Sequence, residues 1–232
     1  MQTWLEYWHQ PHRLYVNERH LQAHYRRLAA DVLRLLPQPA IEFLDWGCGP
    51  ALGAPRLADA GVRVTLYDRS PAAQAELRAR FAGDRRIRVL DDAAYAALPE
   101  QAFEVIVVNS VCQYLTQTEL EALLLELRHH IRPGGRLVLG DIPPPEAGAG
   151  ADALALLRAG LAHGFFLAAL GGLVATALSD YRRLRATLGL SAYTPEKILA
   201  LFEKAGFRPR QLHANIGFAA HRNAFEGQVP PG

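Results

Sequence analysis

With 232 residues, half of them hydrophobic, the chain can bury a substantial core and has the size of one α/β domain with elaborations. A formal charge of only +2, with basic residues dispersed among acids, argues against a nucleic-acid partner, whose phosphates demand a concentrated basic face. Cys48 and Cys112 are too few for a disulfide framework and lack zinc spacing. Met1 to Trp8 has neither the basic region nor the long apolar region of an export signal, so a reducing cytoplasm is expected.

The first forty residues are rich in rings: Trp4, Tyr7, Trp8, His9, His12, Tyr15, His20, His24 and Tyr25. A helix is expected from Glu18 to Leu36, with His20 and His24 on one face four residues apart. Such a pair can bind metal, but no third ligand is evident, so a general base or a packed face is the better reading. Next, Phe43 to Gly53 compresses a short apolar strand, the acid Asp45 and a turn of Gly47, Gly49 and Gly53. Glycines at a strand end let the backbone approach a ligand closely, and a helix from Ala51 to Ala60 offers free N–H groups at its start. A second strand, Val62 to Asp68, ends in an acid placed to hold ribose hydroxyls.

A helix over Ala72 to Phe81 leads to a third strand from Ile87, which exits at Asp91 and Asp92. Phe103 to Leu115 reads as a fourth strand and its exit loop. Gln117 to Ile131 reads as a helix, and the turn Arg132 to Arg136 precedes a fifth strand ending at Asp141. After a Pro/Gly/Ala loop at Pro143 to Gly150, the stretch Ala159 to Ser179 carries no Asp, Glu, Lys or Arg. Its length raises the question of a membrane span, but it lies between two strands of one sheet, and its glycines favour bends. Thr194 caps a helix over Pro195 to Ala205. Phe207 to Ala214 and Phe218 to Phe225, separated by Asn215-Ile216-Gly217, suggest an antiparallel hairpin.

The glycine spacing Gly-x-Gly-x-x-x-Gly departs from the dinucleotide fingerprint. Together with Asp45, Asp68, Asp92, the Asn109 to Leu115 exit loop and the Pro-Gly-Gly turn, it resembles the class I S-adenosylmethionine-dependent methyltransferases. The resemblance implies a doubly wound, mostly parallel seven-stranded sheet with a C-terminal antiparallel hairpin. To this are added an N-terminal helical lid (1–40) and an apolar helical insertion (143–192) between strands five and six. The cofactor-binding half spans 41–142, and 193–232 supplies the last helix and hairpin. It further implies that Asp45, Gly47, Cys48 and Gly49 hold the methionine end of the cofactor, Asp68 and Arg69 the ribose, and Asp92 and Ala93 the adenine. Asn109, Ser110 and Gln113 would then wall the methyl. One departure from the family pattern is the absence of a further glycine at Pro50 or Ala51.

By the same resemblance the expected activity is methyl transfer from S-adenosylmethionine to a small-molecule or lipid-like acceptor, releasing S-adenosylhomocysteine. Tyr15, His20, His24, Tyr114 and Tyr181 are candidates for acceptor chemistry, with no metal. The apolar insertion has three readings: a cover for the sheet, a lid over an apolar acceptor, or a peripheral membrane contact aided by Arg182, Arg183 and Arg185. A monomer or a homodimer through Phe165 to Leu178 both fit. The alternatives are a cofactor-binding interaction module without methyl transfer and, less favoured by the glycine spacing, an NAD-dependent oxidoreductase.

Overall fold

The computed structural model describes residues 15–37, 41–146, 148–177 and 189–231. Seven strands form one sheet: β1 (Glu42–Trp46), β2 (Arg63–Tyr67), β3 (Ile87–Val89), β4 (Phe103–Asn109), β5 (Ile131–Ile142), β6 (Arg208–Gln211) and β7 (Asn223–Gln228). They lie in the order β3-β2-β1-β4-β5-β7-β6. The first five pair in parallel, and β7 runs antiparallel to both β5 and β6. Every parallel strand therefore delivers its carboxyl end to the same edge, and the order reverses between β1 and β4, where such sheets open a crevice.

Helices α1 (Glu18–Leu35), α2 (Ala54–Asp59) and α3 (Pro71–Phe81) cover one face of the sheet. There Ala29, Val32, Leu57 and Leu77 pack on Phe43, Val64, Val105, Val107 and Val138. The other face carries α5 (Gln117–His130) and α8 (Pro195–Lys204), which bury Leu120, Leu124, Leu127, Ile198 and Phe202 against Leu44, Ile106, Leu137 and Phe225. Successive strand residues point to opposite faces, so a sheet covered on both sides reads as continuous apolar runs, as Val105 to Val108 does.

Local chemistry fixes the helix starts. Asn17 caps α1, Ser70 stands before Pro71 at α3, and Thr194 stands before Pro195 at α8. Thr116 and Glu119 form a reciprocal capping box on α5. The short helix α4 (Asp92–Ala96) is capped by Asp91, whose carboxylate accepts from the Ala94 N–H at 2.8 Å.

The insertion between β5 and β6 contains two helices, α6 (Ala149–His163) and α7 (Phe166–Ala177), broken where Gly164 turns left-handed at φ +74°. Ala159, Phe165 and Ala169 pack on Ala23 of α1 in a small third core. Leu161, Leu167 and Val174 remain 67%, 81% and 60% exposed, so the hairpin is apolar on its outer side as well. No helix among the described residues is long and apolar enough to cross a membrane. The region of Arg182, Arg183 and Arg185 lies outside the described residues.

Three boundaries differ from the sequence expectation. α2 begins at Ala54 rather than Ala51, because residues 51–53 are needed for the loop. Arg132 to Gly135 is an irregularity inside β5, where pairing with β4 shifts register between Phe103 and Val105, not a turn ahead of the strand. The terminal hairpin is present, but Gln211 pairs with Phe225, so its connection runs over residues 212–222 rather than the three residues around Ile216. That longer loop carries side chains into the crevice.

Phe202 is fully buried between α8 and the sheet. Phe202→Ala is expected to lower stability by about 3–5 kcal/mol, read as a shifted urea midpoint, whereas Leu125→Ala at a half-exposed site on α5 leaves it nearly unchanged.

Candidate functional site

At the β1 exit the chain turns through Gly47 (φ +72°) and Gly49 (φ +53°). A Cβ on Gly47 would stand 2.5 Å from a Val111 methyl, so the loop after β4 and the loop after β1 can touch only because no side chain intervenes. Ala51 occupies the left-handed region at φ +47°, the neighbourhood where a further glycine was expected, and it is buried. An alanine there costs roughly 1 kcal/mol that glycine would avoid.

The carboxylate of Asp68 accepts from the Gly49 N–H (2.9 Å) and from the Ser70 N–H (2.9 Å). These bonds, on opposite oxygens, fix the orientation of the carboxylate. Arg69 beside it is exposed. Asp92 accepts from Tyr67 Oη (3.0 Å) and Gln74 Nε2 (2.8 Å), while Asp91 caps α4 and meets Arg78 at 3.3 Å. Of the two acids, Asp92 is thus the one held toward the crevice, and Ala93 lies exposed next to it. Tyr67 stacks on Tyr95 at 4.0 Å, and Tyr95 is braced by Trp46 and Glu126.

Asp45 lies in a recess that the crevice still reaches, and none of the described residues donates a hydrogen bond to it. Burial first, then the nearby Asp68 charge, pushes its carboxyl up to about 7. Two carboxylates, Asp45 and Asp68, therefore converge on the glycine loop, an arrangement that favours a cationic ligand. Cys48 is buried beside them, and burial, then Asp45, raises its thiol, so it stays neutral. Both cysteines are free.

The exits of β4 and β5 are strained together. Ser110 (φ +60°) and Asp141 (φ +61°) both adopt left-handed backbone, and Ser110 Oγ donates to Asp141 at 2.7 Å. Asn109 Oδ1 is buried without a partner. Gln113 turns away from the glycine loop: it donates toward the Ser110 carbonyl (3.4 Å) and accepts from Arg222 (2.7 Å). Arg222, from the β6–β7 connection, also reaches Asp141 (3.1 Å) and grips Asp152 of α6 with both forks of Nη2 (3.0 Å each). Asn215 of the same connection brackets Asp141. Neither Arg222, Asn215 nor Asp152 was singled out from sequence, since nothing local distinguishes them. Asp141 itself was read from the sequence as the end of the fifth strand, and carboxyl ends of strands face the crevice. Burial raises its carboxyl, opposed by Arg222, Ser110 and Asn215.

Over this edge lies a cluster of rings. Tyr15 is hydrogen bonded to Tyr25, whose hydroxyl is 3.3 Å from the position of a Cβ on Gly49. Tyr15 packs on His20 and His24 at 5.3 Å each, His20 stacks on Phe165 at 4.7 Å, and His24 leans on Phe218. Burial lowers both histidines to about 4, so both are neutral, while Tyr15 is pushed up to about 12. Nδ1 of His20 accepts from the Val16 N–H at 3.4 Å, which leaves the ring proton on Nε2. His20 is therefore a donor, whereas no described residue hydrogen bonds to His24. Tyr114 sits in the turn Cys112–Tyr114 close enough to Arg222 for their charges to interact. Tyr181 lies outside the described residues. No cluster of metal-binding side chains occurs among the described residues.

The parallel sheet with its reversed seventh strand, the glycine loop and the three strand-end acids have the fold and layout of the class I S-adenosylmethionine-dependent methyltransferases. Residues 43–135 match the model of the methyltransferase domain family. The chain is 32% identical over 114 residues to the cypemycin N-terminal methyltransferase of a Streptomyces species, covering 47% of this chain and 46% of that protein, so it spans about half the length of that relative. It is 29% identical over 203 residues to the demethylmenaquinone methyltransferase of Thermus thermophilus, covering 84% and 86%. Magnesium protoporphyrin IX methyltransferase from Synechocystis, solved with S-adenosylhomocysteine, has the same fold (TM-score 0.60, 16% identity, 95% and 90% covered). So has 1,6-didemethyltoxoflavin-N1-methyltransferase from Burkholderia thailandensis (TM-score 0.57, 17% identity, 89% and 78% covered). The charge of the site fits S-adenosylmethionine, whose ammonium and sulfonium complement the acids at the glycine loop.

Because Asp45 titrates near 7, affinity for S-adenosylmethionine is expected to rise between pH 6 and 8 with release of a proton, and Asp45→Asn to flatten that profile, as calorimetry in buffers of different ionisation heat would read. The sign for the ligand-free protein is opposite. Its native state keeps a proton that the unfolded chain has lost, so stability drains away as pH rises from about 4 through 7, and Asp45→Asn removes the loss. Arg222→Ala, which removes the cation shared by Asp141 and Asp152, is expected to lower stability by roughly 3 kcal/mol in chemical denaturation.

Proposed function

We propose that the protein transfers the methyl group of S-adenosylmethionine to a small, apolar acceptor held beneath the α6–α7 hairpin. The observation that carries this is the ring cluster of Tyr15, His20, His24, Phe165 and Phe218, which joins the insertion to the edge of the cofactor cleft through Tyr25 and Gly49. Two of the similar proteins are named for ring-bearing acceptors, demethylmenaquinone and magnesium protoporphyrin IX.

When bound, the cofactor supplies an electrophilic methyl on a sulfonium, so the chain contributes alignment and exclusion of water more than acid–base power. Asp45 and the glycine loop would hold the amino-acid end, Asp68 with Arg69 the ribose edge, and Asp92 with Ala93 the base. Asn109 and Ser110 lie where the β4 exit meets the acceptor side, with Gln113 bracing them from behind. His20, with its proton on Nε2, donates a hydrogen bond to an acceptor oxygen. His24, neutral and without a protein partner among the described residues, accepts one from a hydroxyl or amine. Tyr15 remains a phenol throughout the neutral range.

The apolar outer side of the hairpin supports a lipid-like acceptor and a peripheral membrane contact as the finer form of this reading. A nicotinamide dinucleotide is disfavoured, because Asp45 and Asp68 would repel a pyrophosphate at the glycine loop.

Incubation with a lysate and S-adenosylmethionine tritiated on its methyl is expected to place protein-dependent label in the organic extract. Label confined to the aqueous phase would reject the apolar acceptor, and label in neither would favour a binding protein without transfer. With the acceptor in hand, His24→Ala should lower kcat by about 100-fold while leaving the dissociation constant for S-adenosylhomocysteine unchanged; unaltered turnover would remove His24 from the chemistry.

A further inference from the structure

The sheet has a second concave end. Opposite the cofactor cleft, at the amino ends of β1 to β4, lies a cleft of about 380 Å³ whose walls carry Arg63, Arg85, Arg86, Arg88 and Arg132, with Glu42 the one acid lining it. Leu98 and Phe103 give it an apolar floor and are nearly inaccessible to water.

Three of the five guanidinium groups are held in place. Arg63 pairs with Glu42, Arg132 with Glu104 and the Gln101 carbonyl, and Arg86 with Asp84 (2.8 Å) and Asp59 (2.9 Å). The other two have no such partner. Arg88 lies on the edge strand β3 in register with Thr65, and Arg85 lies in the turn before it. Both are exposed, and neither makes a hydrogen bond or ion pair with any described residue. Carboxylates already meet the charge of Arg63, Arg86 and Arg132, so the surplus charge of the cleft is that of Arg85 and Arg88, and an anion seated between them would be its complement. Guanidinium forks fit oxyanions with several oxygens in divergent directions, and more than two forks can engage a tetrahedral phosphate where a planar carboxylate would satisfy only one or two.

We propose that this cleft binds a phosphate-bearing anion, with Arg85 and Arg88 as its direct donors and Arg63, Arg86 and Arg132 as the fixed frame. The ligand is separate from the cofactor, since Gly47, Asp68 and Asn109 are at the other ends of the same strands. The phosphate could belong to a soluble metabolite or to a lipid headgroup, and the recognition chemistry is the same.

The test is titration of the full chain with inorganic pyrophosphate by calorimetry, beside co-sedimentation with vesicles of phosphatidylcholine with and without phosphatidic acid. The expected result is saturable binding of at least one of these probes, weakened about tenfold or more in R85A/R88A. A control, R26A/R158A, which removes the same charge from exposed positions on α1 and α6, should retain it. Binding of pyrophosphate assigns a soluble ligand; arginine-dependent binding of phosphatidic acid vesicles alone assigns a headgroup. Absence of both, or equal weakening in the control pair, overturns the proposal. S-adenosylhomocysteine affinity, expected to be unchanged in R85A/R88A, separates this result from a folding defect and from the methyltransferase reading.

Discussion

Four segments distant in sequence meet at one guanidinium. Arg222 is 9% exposed, and it ties the exit of β4 through Gln113, the exit of β5 through Asp141, and the insertion through Asp152. A buried cation with two carboxylates is tolerable only because its donors are nearly all engaged. The same contacts decide where the α6–α7 hairpin sits relative to the cofactor crevice. The strained backbone at Ser110 and Asp141 is held from both sides by this network, with Asn215 closing the far side of Asp141. Placement of the α6–α7 hairpin thus depends on one ion-pair cluster.

The two ends of the sheet carry opposite electrostatics. At the carboxyl ends, Asp45 and Asp68 converge on the glycine loop; at the amino ends, Arg85 and Arg88 stand beside three arginines whose charge nearby carboxylates already meet. A nearly neutral chain is therefore not a uniformly neutral surface. Dispersal of charge along the sequence concealed this, because β-strand topology gathers residues such as Arg63, Arg88 and Arg132 that are far apart in the chain.

The cofactor half was legible because its signals are local. A strand, an acid and glycines in succession at Phe43 to Gly53 state both the turn and its ligand-facing edge, and Asp68 follows at a strand end. Even the glycine missing at Ala51 pointed to a real left-handed position, filled at some cost. The ring cluster was half legible: His20 and His24 share a helix face, but their partners Phe165 and Phe218 come from elements far along the chain. Arg222 and Asn215 were not legible, because an arginine and an asparagine in a loop carry no periodicity. The terminal hairpin was recognised as a pair of apolar runs, yet its connection was placed too tightly, since the runs alone could not reveal that residues 212–222 are drawn off to line the crevice.

The position of β7 bears on how such a chain leaves the ribosome. β7 lies between β5 and β6, so Leu137 to Leu139 pair on one side with β4 and on the other with a strand almost ninety residues further on. Until that strand emerges, the nascent chain presents an open, strongly apolar edge while the insertion is still being made. Sealing of the sheet is therefore a late event, and it is the same event that brings Asn215 and Arg222 to Asp141. A chain cut short before Asn223 would keep every residue of the family-matched segment yet expose a sticky edge, which makes the strand from Asn223 onward its safeguard against misassembly.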